Sequence, residues 1–246
     1  MQSSQAKLRG ALVAALALVA ACPETLAEPP IADIASPTLS AISPGGALAV
    51  AWTATPSFDA AQLRVTLVPR ANQASAVLVD GAQRAASTSA PTATGFTWGG
   101  EDLAAHAVAP GFYGLAVGDR VTGETYDGGD RNIVVVTGAE LTAPAPGATL
   151  AITAGTPSTL RFDTTAIGTL TLTLLADPSP VDGDELVIAA LPIPGEIRTV
   201  GRDYAWDGTT MTGAIAPPGD YTIAALLDDG TTTWRVDGGV ARVTAP

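Results

Sequence analysis

The chain has 246 residues with 24 acidic and 12 basic side chains, one His and one Cys, which excludes tandem metal ligands and a disulfide framework. At 47% hydrophobic and 15% charged, in well-mixed order, it can bury a core in one domain or in two of about 100–150 residues each. Gly 26 and Pro 19 against 5% aromatic residues supply many turn signals and leave little room for long helices.

Residues 1–21 have the three-part form of an export signal: Lys7 and Arg9, then the apolar run Ala11 to Ala21, ending in small residues. Those 11 residues are too few for a spanning helix, which needs about 20. The only cysteine follows at once, and Val19-Ala20-Ala21-Cys22 resembles the bacterial lipoprotein lipobox. That resemblance implies cleavage between Ala21 and Cys22 and acylation of Cys22 on its sulfur and freed amine. Each buried CH₂ contributes about 0.8 kcal/mol, so several acyl chains anchor stably where one is marginal. An ordinary secretory signal cut after Ala27 would instead discard Cys22; a lone cysteine at the position the motif requires favours lipidation. Pro23 and not aspartate follows Cys22, which points to the outer membrane of a cell envelope.

Cleavage removes two of the 12 basic residues and no acid, leaving 10 arginines against 24 acids, a formal −14. Nucleic acid and anionic lipid surfaces are poor partners for such a chain. The absence of lysine removes Schiff-base chemistry. Residues 22–37, with four prolines and no sustained period, read as a tether.

Beyond the tether the chain repeats. At an offset of 108 residues, Phe96-Thr-Trp98-Gly-Gly100 falls on Tyr204-Ala-Trp206-Asp-Gly208, Pro110-Gly111-Phe-Tyr113 on Pro218-Gly219-Asp-Tyr221, and Thr125-Tyr126 on Thr233-Trp234. Upstream, Ala49-Val-Ala-Trp52 aligns with Thr159-Leu-Arg-Phe162 at 110. Two copies, 38–138 and 139–246, follow. Within them Leu63-Arg-Val65-Thr-Leu67, Leu170-Thr-Leu172-Thr-Leu174 and Tyr221-Thr-Ile223 alternate with period 2, the signature of half-buried antiparallel strands. Ser43-Pro-Gly-Gly46, Ala145-Pro-Gly147, Asp182-Gly-Asp184, Asp229-Gly230 and Asp237-Gly-Gly239 read as the turns between strands. The expected fold is all-β, two tandem immunoglobulin-like β-sandwiches after a signal peptide and tether.

Tyr204-Ala-Trp206-Asp207-Gly208, Gly213 and Pro218-Gly219-Asp-Tyr221, with Pro157 to Asp163 upstream, resemble the Ig-like domain of the flagellar hook-capping protein. The first copy departs from that pattern, with Gly99 in place of the aspartate and Ala105 in place of the loop glycine. The resemblance implies the Ig-like fold and an accessory or spacer role.

The chemical inventory is short. His106 is the only imidazole, and the second copy has Ala214 at its position, which favours a loop residue over a triad member. Asp177 to Glu185 and Asp127-Gly-Gly-Asp130 are the densest acidic clusters; neither has EF-hand spacing, and charged turns explain them better than calcium ligation or glycoside hydrolysis. Trp52, Trp98 and Trp206 fall on aromatic positions of the other copy, which suggests core roles; Trp234 is the best candidate of the four for an exposed stacking platform, although packing is favoured even there. The sequence therefore predicts a non-enzymatic, lipid-anchored envelope protein with no cofactor and no metal. Its lipid would partner the membrane and its surface an envelope protein or glycan. The alternative is a glycan- or peptide-binding surface module, with or without calcium.

Overall fold

In the computed structural model, which describes residues 28–71, 73–127, 131–168, 170–179, 183–193 and 200–246, the alternating runs become strands. Leu63, Val65 and Leu67 each turn inward and are fully buried, as are Leu170, Leu172 and Leu174. Residues 1–27, with the expected export signal and its cleavage and lipidation positions Ala21 and Cys22, lie outside the described residues.

The first half runs β1 (Ile31–Ser36), β2 (Leu39–Ile42), β3 (Leu48–Ala54), β4 (Leu63–Pro69), β5 (Ala76–Asp80), β6 (Gln83–Arg84), β7 (Gly95–Trp98), β8 (Gly111–Asp119), β9 (Thr125–Asp127) and β10 (Ile133–Val136). The second runs β11 (Gly138–Ala143), β12 (Thr149–Thr153), β13 (Ser158–Thr165), β14 (Leu170–Asp177), β15 (Leu186–Ile193), β16 (Val200–Trp206), β17 (Gly219–Asp228) and β18 (Thr233–Thr244). Each half pairs a three-stranded sheet, β1-β3-β7 or β11-β13-β16, with a larger one, β2-β10-β8-β4-β5-β6 with β9 added on β8, or β12-β18-β17-β14-β15. The two orders match, with β9 and β10 together in the place of β18 and with β6 an addition of the first half. In both, one strand lies parallel, β2 on β10 and β12 on β18, with its predecessor in the opposite sheet. The chain is thus all-β, two tandem immunoglobulin-like sandwiches.

Each half has its own apolar cluster, one around Trp52, Trp98 and Leu115, the other around Phe162, Trp206 and Leu172. The large side chains do the same work in both. Trp98 Nε1 donates to Glu101 O and Trp206 Nε1 to Thr209 O, each at 2.7 Å. Tyr113 Oη donates to Ala109 O at 2.8 Å and Tyr221 Oη to Pro217 O at 2.6 Å, the tyrosine corner of an Ig-type sandwich. Burial raises the pKa of both phenols.

Three sequence expectations change. The tether cannot extend to residue 37, because Ile31–Ser36 is β1, with Ile31 and Ile34 buried and Asn132 Nδ2 donating to Ile34 O and Pro37 O. A register shift between Ile31 and Asp33 sets the buried isoleucines of β1 three apart, and a second follows Ile34, so no period 2 marks it. Asp237-Gly-Gly239 is not a turn but a bulge inside β18, where Thr222 opposes Val240 and Ala224 opposes Asp237. A Cβ on Gly239 would lie 2.3 Å from Ala145 O, so glycine is required there for close approach of the segment between β11 and β12. Finally, Tyr126 opposes Val117, whereas Trp234 opposes Leu227. Because Val117 is equivalent to Ala225, the two aromatics are not counterparts.

Candidate functional site

The side chains singled out in the sequence are spent largely on structure. Trp52, Trp98 and Trp206 are buried, and Trp52 Nε1 donates to Thr92 O at 3.1 Å. Trp234 is half-buried against the second core, with Nε1 inside and without a hydrogen-bond partner, so it packs, as favoured from the sequence, and offers no open platform. The His106 ring is 78% exposed and lies 3.9 Å from the Asp102 carboxylate. Asp102 also accepts the His106 backbone N–H, which builds the loop from Trp98 to Gly111.

The acidic clusters divide. Asp130 and Asp182, and the side chain of Asp127, lie outside the described residues. Asp177 ends β14 with its side chain only 7% exposed, a position that would be costly for an unpaired carboxylate. Arg235, on β18, supplies the charge: its Nη2 donates to Asp177 Oδ2 and its Nε to Asp237 Oδ1, both at 2.6 Å, with Glu185 at 3.8 Å. Asp177 Oδ1 accepts the Ser179 N–H, fixing the turn that follows. Hydrogen bonding to Asp237, and then to Asp177, raises the guanidinium pKa further above its ordinary value. Asp184 accepts from Ser179 Oγ and Glu185 from the Gly183 N–H. A cation entering here would have to displace a guanidinium or open these turns. Among the described residues no group of three or more His, Cys, Asp or Glu is arranged to hold a metal.

This network floors a groove of about 540 Å³ on the larger sheet of the second half, walled by Pro178, Thr222 and Val240. On its rim Arg242 donates twice to Asp220, at 2.7 and 2.8 Å, and holds that carboxyl below the usual carboxylate range. Among the described residues the site has no counterpart in the first half. Asp177 opposes Thr222 and Val68 opposes Gly114 in the equivalent register, so the surface residue Val68 occupies the place of the buried acid. Sequence reading missed Arg235 because its partner is 58 residues away and meets it only through the register of three strands.

No family model matches the chain, and no curated protein sequence is similar to it. Among solved structures, dimeric latent PorU from Porphyromonas gingivalis is similar over 91% of this chain and 21% of that one, at 13% identity and a TM-score of 0.31. The chain thus spans about a fifth of that protein's length. A likeness this loose assigns no role.

Proposed function

We propose that the chain is a non-enzymatic, lipid-anchored cell-envelope protein acting as a structural or protein-interaction module. Cys22 carries the lipid after cleavage at Ala21, and the outer membrane is its site. The reading rests on what the two copies share. Trp98 and Trp206, and Tyr113 and Tyr221, make the same backbone hydrogen bonds, so the common residues are those that hold a sandwich together. Duplication of a scaffold without a duplicated reactive group suits a spacer or platform. Its formal −14 charge after processing directs it towards neutral or basic protein partners and away from polyanions.

Affinity capture of the tagged chain from its own envelope, with mass spectrometry of what accompanies it, tests this reading. Retention in the membrane fraction and co-purification of envelope proteins are expected. Release by salt alone as a free soluble protein would contradict it.

A second reading, a glycan- or peptide-binding surface module, is favoured by the groove over Arg235 on the second half. It predicts binding on a glycan or peptide array that Asp220→Ala weakens while the fold persists. No binding to either array would remove it.

A further inference from the structure

Domains joined in series move relative to one another unless something holds them. Here the connection is one residue long. Val136 still opposes Gly111 of β8 and Ile42 of β2, while Gly138 already opposes Thr165 of β13. Thr137 between them is 3% exposed, and its N–H donates to Ile42 O at 2.9 Å, so it belongs to the first ladder and cannot act as a free linker.

Two further contacts close the joint. Gly138 sits directly on the ring of Pro110: a Cβ built there would lie 2.4 Å from Pro110 Cγ, so only glycine allows the second half to seat this closely. Across the joint, Ser43 Oγ in the turn after β2 donates to Asp229 Oδ2 in the turn after β17, at 2.5 Å. The other oxygen of that carboxylate accepts the N–H groups of Thr231 and Thr232, both at 2.8 Å, so the acceptor is itself fixed. Cavities of about 360 and 180 Å³, each lined by residues of both halves, flank these contacts. The interface is therefore not a continuous apolar seal, and its stiffness depends on the few groups that do touch.

We infer that the two sandwiches are locked end to end as one stiff unit, seated by Gly138 on Pro110 and clasped by Ser43 on Asp229, so that surfaces on the two halves are presented at a fixed separation and angle. The inference stands whether or not Cys22 is acylated.

Nitroxide labels at Thr53→Cys and Thr159→Cys, exposed positions in β3 and β13, report the separation by pulsed electron resonance in the full chain carrying Cys22→Ser. A single narrow distance distribution is expected. Inserting Gly-Ser-Gly-Ser between Thr137 and Gly138 should broaden it about twofold or more, with the circular dichroism of both sandwiches retained. Ser43→Ala should broaden it measurably on its own. A broad distribution in the parent, or one whose width the insertion leaves unchanged, overturns the lock; a width indifferent to Ser43→Ala overturns the clasp.

Discussion

Ala105 holds a backbone conformation at φ 60 that its counterpart Gly213 adopts at φ 82. A Cβ in the left-handed region costs about 1–2 kcal/mol, partly offset by the extra unfolded-state freedom of glycine. Ala105→Gly is therefore expected to stabilise the first half by about 0.5–1 kcal/mol, read as a shifted denaturant midpoint at unchanged slope. The departure from the repeat was legible in the sequence; the strain it creates was not. Arg235 presents the opposite situation. Removing it leaves Asp177 buried without its counter-charge, so Arg235→Met should cost the second half about 3 kcal/mol. Adding Asp177→Asn to that variant should recover part of the loss. Equal stability of Arg235→Met and the parent would show that the network is incidental.

At the scale of elements, strands with one clean inner face were readable, as at Leu63 to Leu67, because alternate residues meet the same core. Elements that break the period were not. β1 hides because a register shift places Ile31 and Ile34 three apart, and the prolines that flank it, Pro29, Pro30 and Pro37, look like linker. The paired glycines of β18 look like a turn because sequence cannot distinguish a glycine needed for left-handed backbone from one needed for close approach. The difference has a measurable consequence. A chain beginning at residue 38 loses both buried isoleucines and the acceptors of Asn132. Since truncating one buried Ile costs about 2–5 kcal/mol of a total near 5–15, the first half should then be unfolded, while a chain beginning at residue 28 keeps it. Calorimetry checks this through the enthalpy contributed by the first half, which should vanish only in the shorter chain.

For the whole molecule, charge sets the response to acid. Asp203 beside Arg161, Asp220 beside Arg242 and Asp229 beside Ser43 all have carboxyl pKa values lowered in the folded state. A group lowered on folding contributes stability above its unfolded value, about 3.9, and loses that contribution as pH falls through the folded value. The thermal midpoint should therefore be nearly flat from about pH 5 to 8 and fall below about pH 4. A midpoint that rises on acidification would mean that relief of the −12 net charge outweighs these pairs.

The arrangement of two duplicated sandwiches would give a purpose to the acyl anchor proposed at Cys22, since a scaffold acts where it is held. The mass of the N-terminal peptide of the chain isolated from its own cells tests this most directly. A peptide starting at Cys22 and heavier by its fatty acyl groups is the result expected. An unmodified peptide starting at Glu28, from protein recovered free of membrane, would contradict it.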